Sequence, residues 1–392
     1  MNFAHSKALG STPVLVFALA VAALSSSCTD ERTGARATSP NSRPATGDRD
    51  AAAGGEDAQA DASNAGSSPP QLRFVGRMDR MDPAGPRFAW SGSGVVAAFR
   101  GTSVTLTLSD GGTNQFTVLI DGALQPKLIA RAGRNEYVLG SGLPPGDHQV
   151  EVYRRTEASF GPTQFLGFEF GAEGALLATP AATRRIELIG DSVSAGYGDE
   201  GSAPTCPFSA DTENHYATYG AISARKLGAE LITVAWSGRG VVYNYDTDVV
   251  DPMPSLYGRT LPQDQDSAWD FSLAVDVVVI NLGTNDFSTE GDPTPELFAD
   301  EYRKLLERAR SVYPEAPILC TVGPLLNGAD LTAARAGIAA GVAAFEAGGG
   351  SNARVWEMNV PNANPGCDYH PGLATHQAMA DALIPELRPL FE

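Results

Sequence analysis

The chain has 392 residues, 43% of them hydrophobic, with a formal net charge of −18 and a pI near 4.7. That length allows two or three domains and a sizeable core. The acidic balance excludes a phosphate-backbone partner, which needs clustered Lys and Arg, so no nucleic acid is expected.

Residues 1–28 read as a signal peptide: Lys7 supplies a positive charge, Val14 to Leu24 is apolar, and Ser25-Ser26-Ser27-Cys28 closes the segment with small residues. The apolar run falls short of the ~20 residues a bilayer span requires. Cys28 after small residues suggests a lipid anchor, although the leucine expected three residues before it stands four before, at Leu24. Plain secretion with cleavage near Ser27 is the other reading, and either places the chain at the cell surface or outside the cell. Residues 29–70 contain no Val, Ile, Leu, Met, Phe, Tyr or Trp. Such a segment cannot bury enough apolar surface to offset its ordering entropy, so a disordered tether with a root-mean-square reach of about 35 Å is expected.

Residues 71–178 carry a β pattern. Val104, Leu106 and Leu108 alternate with Thr105, Thr107 and Ser109, Phe116, Val118 and Ile120 with Thr117 and Asp121, and Val150 and Val152 flank Glu151. Turn signals recur at Asp110-Gly111-Gly112, Asp121-Gly122 and Pro144-Pro145-Gly146-Asp147, and a β-sandwich or jelly roll follows. Its role is either a carbohydrate-binding module or a packing domain that props one wall of a site. After a small-residue connector, residues 183–392 alternate strand and helix. Strand-like runs are Ile186–Ile189, Leu231–Ala235, Val275–Asn281 and Ile318–Val322. Helical periodicity covers Glu213–Leu227, stopped by Gly228, and Pro295–Val312, with Thr294 as N-cap. This order predicts a parallel sheet with helices on both faces.

The stretch Ile186–Gly198, IELIGDSVSAGYG, ends a strand in Gly190-Asp191-Ser192, where an α/β sheet presents reactive groups beyond the carboxyl ends of its strands. Taken alone, it fits an ordinary turn as well as a nucleophile. Three further stretches break the tie: AWSGRG (Ala235–Gly240), INLGTNDFS (Ile280–Ser288) and GCDYHP (Gly366–Pro371). Together the four blocks resemble the SGNH or GDSL hydrolases, whose serine, glycine, asparagine and histidine match Ser192, Gly238, Asn285 and His370 in order. The wording of the blocks, with DTENHYATYGAISARKLGAEL and DPMPSLYGRTL between them, is similar to carbohydrate esterase family two from about Leu72 onward.

The resemblance implies a three-layer α/β/α hydrolase domain after a jelly roll, and a serine esterase that removes acetyl groups from plant cell-wall polysaccharides such as xylan or glucomannan. Ser192 would be the nucleophile, and the backbone N–H groups of Ser192 and Gly238 with the Asn285 amide would hold the oxyanion. Among five histidines, His5 falls in the signal peptide, His148 in the β region, and His215 and His376 in helix-forming sequence, which leaves His370 as base. The superfamily places an acid three residues before this histidine, but Cys367 stands there, so Asp368 is expected as third member of a triad. A Ser192–His370 dyad oriented by a backbone carbonyl is the alternative. Trp236 and Tyr257 are candidate sugar contacts. A Cys320–Cys367 disulfide with Cys206 free is expected in an oxidising compartment. No cofactor or metal is indicated, since neither cysteines nor histidines have ligand spacing, and nothing sets an oligomeric state. Competing functions are a surface carbohydrate-binding protein without turnover, a lipase or thioesterase, and an acetyltransferase. The polar and aromatic loop between Ser237 and Ser272 favours sugar over lipid.

Overall fold

The computed structural model describes residues 69–391; the signal peptide, Cys28 and nearly all of the expected tether lie outside the described residues. The first half is a curled antiparallel sheet built on β1 (Gly94–Asp110), β2 (Gln115–Ile120), β3 (Gly133–Arg154) and β4 (Thr163–Glu169), in the order β4-β1-β3-β2. The expected alternation places Val104, Leu106, Leu108, Phe116, Val118, Ile120, Val150 and Val152 in one buried cluster. Asp121 and Gly122, both at positive φ, turn the chain from β2 into the short strand Ala123–Leu124.

Pro144-Pro145-Gly146-Asp147 does not separate two strands, as expected, but lies within β3. The register there slips from Gly101↔Gly146 to Ser103↔Ser141. Prolines lack the N–H that a ladder requires, and a bulge leaves them unpaired without ending the strand.

The second half is a five-stranded parallel sheet of β5 (Arg185–Gly190), β6 (Glu230–Ala235), β7 (Val277–Asn281), β8 (Ile318–Thr321) and β9 (Ala353–Val355), in the order β6-β5-β7-β8-β9. Its α-helices among the described residues are α1 (Ser192–Ala195), α2 (Tyr219–Leu227), α3 (Met253–Leu256), α4 (Thr284–Phe287), α5 (Pro295–Val312), α6 (Gly328–Ala347) and α7 (Leu373–Leu387). Successive residues of β7 point to opposite faces. Val277 and Val279 join Tyr219, Leu227, Met379 and Leu383 of α2 and α7, while Val278 and Ile280 join Phe298, Tyr302, Leu305 and Ile338 of α5 and α6. A strand buried on both faces explains the unbroken Val-Val-Val-Ile run.

Helix α2 begins six residues later than its periodicity predicts. Thr218, extended at φ −70° and ψ 158°, accepts from the Ala221 N–H and caps the helix. His215 falls in a separate 3₁₀ turn, and Glu213 is pulled out of the helix to meet the Glu157 N–H. At α5 the Thr294 side chain caps the helix as expected.

The two sheets share buried contacts. Trp90 lies within the parallel-sheet core and donates from Nε1 to the Arg259 carbonyl at 3.2 Å. Arg77 pairs with Glu187 of β5 at 3.0 Å, with both side chains fully buried. Tyr257 and Tyr313 donate to the same carboxylate at 2.7 and 3.1 Å.

Candidate active site

Strand β5 delivers Ser192 to the first position of α1. The Asp191 carboxylate caps this helix by accepting from the Val193 N–H at 3.0 Å, and burial pushes its pKa up to about 7. Gly190 is required by close approach: a Cβ there would lie 2.2 Å from Ser194 Oγ. Ser194 in turn meets Tyr219 Oη at 2.8 Å, and Asn281 Nδ2 donates to that same phenol at 2.8 Å.

Ser192 Oγ and His370 Nε2 stand 2.9 Å apart, although they are 178 residues apart in sequence. On the other side of the ring, Nδ1 lies 3.0 Å from the backbone carbonyl of Asp368. A carbonyl only accepts, so Nδ1 carries the proton and Nε2 presents its lone pair to the serine hydroxyl. Burial lowers the His370 pKa, opposed by the hydrogen bond to the Asp368 backbone and by the charge of the Asp368 carboxylate.

The expected Ser192-His370-Asp368 triad is corrected here, because the carboxylate of Asp368 does not meet the ring. Asp368 and Tyr369 adopt φ +49° and +59°, and this left-handed turn aims the carbonyl at His370. The carboxylate accepts instead from the Tyr197 hydroxyl at 2.9 Å and the Phe208 N–H at 3.2 Å. Tyr197 stacks on Phe208 and lies against the imidazole, with ring centroids 4.3 Å apart.

The expected Cys320–Cys367 pairing is also corrected. Cys367 bridges Cys206, with Cα atoms 4.7 Å apart, and among the described residues Cys320 is the free, buried thiol. Cys320 points from β8 into the core beneath α5 and α6, where burial pushes its pKa up to about 12. Cys367 sits instead on the loop that Asp368 N and Tyr369 N stitch to the carbonyls of Cys206 and Pro204, each at 3.0 Å.

Gly238 follows β6 and takes φ +78°, a conformation that favours glycine. Its carbonyl accepts from Tyr245 N at 2.8 Å. Asn285 lies in the first turn of α4 and donates from Nδ2 to the Arg239 carbonyl at 2.9 Å, which leaves the second amide hydrogen free of that bond. Trp236 is half-buried, and the Arg239 guanidinium lies 4.6 Å from its ring centroid, covering one face. Tyr257, expected at the substrate, is fully buried on the Glu187 carboxylate and has no surface to offer a sugar.

Several residues that shape the site escaped the sequence reading. The Asp286 carboxylate accepts from the N–H groups of Val241, Val242 and Tyr243 at 2.9, 2.7 and 3.0 Å, tying the third block to the loop of the second. Glu157, from the antiparallel half, accepts from Ser237 N at 2.8 Å. Asp286 stands inside the INLGTNDFS block, beside Asn285, without a sign of its own that it ties two loops together. Nothing in the local sequence marks Glu157. Among the described residues, no three His, Cys, Asp or Glu side chains gather so as to hold a metal ion.

Residues 74–180 match the model described as "Carbohydrate esterase 2 N-terminal", and residues 188–378 match the "GDSL-like Lipase/Acylhydrolase family". The acetylxylan esterase / glucomannan deacetylase of Cellvibrio japonicus is 31% identical over 319 residues, covering 78% of this chain and 86% of that protein. The chain belongs to carbohydrate esterase family two. This family two member is therefore a carboxylic ester hydrolase. It is 40% identical to a family two esterase from Clostridium thermocellum, solved in complex with cellohexaose, with a TM-score of 0.77 over 81% of this chain and 98% of that one. It is also 41% identical over 326 residues to the cellulase/esterase CelE of Acetivibrio thermocellus, covering 81% of this chain but only 39% of that longer protein.

Proposed function

We propose that this esterase removes O-acetyl groups from plant cell-wall polysaccharide, with xylan and glucomannan as its substrates, through an acetyl-serine intermediate. The observation that carries the reading is the Ser192–His370 contact of 2.9 Å, with the Nδ1 proton held by the Asp368 carbonyl. His370 Nε2 takes the serine proton as Oγ bonds to the acetyl carbon. It then gives that proton to the departing sugar hydroxyl as the tetrahedral centre collapses. Water repeats the sequence on the acetyl-serine and releases acetate. The developing oxyanion accepts from the N–H groups of Ser192 and Gly238 and from the Asn285 amide hydrogen that Arg239 does not use.

The polysaccharide reading rests on the relative described as acetylxylan esterase / glucomannan deacetylase. A cleft of about 640 Å³ lies beside the histidine loop, lined by Leu325, Asn359, Asn362 and Tyr369 among others but not by Ser192 or His370. Tyr369, next to His370 in the chain and 61% exposed, offers the aromatic face that Tyr257 does not. The serine–histidine contact favours turnover over a purely binding role. We read the antiparallel half as a jelly roll. We also read the chain as exported, a reading supported by the apolar run Val14–Leu24 and by the Cys206–Cys367 bridge, since disulfides persist in oxidising compartments.

One assay panel tests the reading: acetylated xylan, acetylated glucomannan, and nitrophenyl esters of increasing acyl length. Acetate should far exceed butyrate, and Ser192→Ala should abolish turnover in a folded protein. Equal rates on acetate and octanoate esters would remove the deacetylase reading.

A further inference from the structure

Glu157 leaves the antiparallel half just after β3, opens a 3₁₀ turn at Ala158–Phe160, and is 3% exposed. The antiparallel half holds it from two sides. Ser159 Oγ donates to Oε1 at 2.7 Å, and Arg154 Nη2 donates to its backbone carbonyl at 2.8 Å. Two bonds cross to the hydrolase half. The Glu157 N–H donates to Glu213 Oε2 at 3.0 Å, and Oε2 of Glu157 accepts from Ser237 N at 2.8 Å. Ser237 immediately precedes Gly238.

The loop after β6 is therefore fixed on both sides of the Gly238 amide. Upstream, Ser237 N is held by Glu157; downstream, the Gly238 carbonyl is held by Tyr245 N at 2.8 Å. Between these anchors the Ser237–Gly238 peptide plane has little freedom to rotate, and the direction of its N–H is set. If the carboxylate is removed, the part-buried Ser237 N–H loses its partner. The loop then turns to find one and carries the Gly238 N–H with it.

We propose that Glu157 is a positioning residue for the Gly238 oxyanion donor, acting through the reach of its acceptor oxygen, so that the antiparallel half supplies part of the geometry of hydrolysis. Negative charge is not the useful property, since a carboxylate near a developing oxyanion opposes it. The proposal rests on the acetyl-serine reading above.

Three variants separate reach from charge. Glu157→Gln keeps an acceptor oxygen at the same distance and loses the charge; Glu157→Asp keeps the charge and falls short of Ser237 N; Glu157→Ala loses both. With nitrophenyl acetate, kcat of the Asp and Ala variants should fall by about 10- to 100-fold, somewhat less than outright loss of an oxyanion donor. KM should stay within about threefold, and the acid limb of the pH profile should not move, because the contacts of His370 are untouched. The Gln variant should retain kcat within about threefold of the parent. Near-ultraviolet circular dichroism checks each fold, and if the Ala variant does not fold, the Asp–Gln contrast decides. An active Asp variant with an inactive Gln variant overturns the proposal, as does a kcat in both Asp and Ala variants within twofold of the parent. Ser192→Ala is run alongside. If it retains turnover, the acetyl-serine reading fails; if it is inactive while all Glu157 variants match the parent, only the role of Glu157 fails.

Discussion

Replacing Asp368 with Asn separates a carboxylate that orients the base from a carbonyl that does. Asn tolerates the +49° φ of this position better than other non-glycine residues, so the turn that aims the carbonyl at His370 survives. The Asn side-chain oxygen can still accept from Tyr197 Oη and Phe208 N, the two partners of the carboxylate. What disappears is the charge assistance to those bonds, about 1 kcal/mol together at an exposed site, or about fivefold in rate if all of it reached the transition state. The kcat for nitrophenyl acetate should therefore fall less than about tenfold, against about 10⁴ for the equivalent change in a serine-protease triad. The charge of Asp368 also raises the His370 pKa, so its loss should move the acid limb of kcat/KM to lower pH. A loss beyond about 10³ in a protein with unchanged near-ultraviolet circular dichroism would refute the carbonyl account.

Other outcomes are equally specific. Cys206→Ser opens a bridge that closes a separation of 161 residues, for which chain entropy gives about 5 kcal/mol, and urea denaturation should show a loss of that order. Cys320→Ser leaves the bridge intact, and peptide mapping without reduction should still recover the Cys206–Cys367 crosslink. Arg77→Met strands the buried Glu187 carboxylate and should cost about 3–5 kcal/mol in the same denaturation assay, part of it recovered when Glu187→Met is added. In the parent enzyme the acid limb of kcat/KM should lie below pH 6.5, because His370 must be neutral to act as base and burial lowers its pKa; a midpoint above 6.5 would contradict the buried, carbonyl-held imidazole.

Much of this architecture could be read from local chemistry. The period of two in β1, the apolar run of β7 and the Thr294 cap each name their own element, and the serine and histidine blocks name the pair that meets 2.9 Å apart. What escaped depended on partners distant in the chain. Helix α6 and strand β9 were not read. The helix is rich in Ala and Gly and weakly patterned, and Gly337 and Gly341, which look like breakers, let it pack on Phe298 and Tyr302. The direction of the Asp368 carboxylate is set by Tyr197 and Phe208, which lie 171 and 160 residues away. The partner of Cys367 depends on which face of β8 Cys320 occupies, and strand register alone decides that. Tyr257 looked like a sugar platform because an aromatic near an active-site block reads the same whether it faces the cleft or a buried carboxylate.

The buried Arg77–Glu187 pair and the seating of Trp90 in the parallel-sheet core limit how this enzyme can be cut. A fragment starting at Thr183 would carry an uncompensated carboxylate on its second strand from the edge and an open slot where an indole belongs. Fusion partners, immobilisation tags and trimmed expression boundaries therefore belong before residue 70 rather than in the connector between the sheets, and any recombination that transplants the hydrolase must move the antiparallel sheet with it as one cassette.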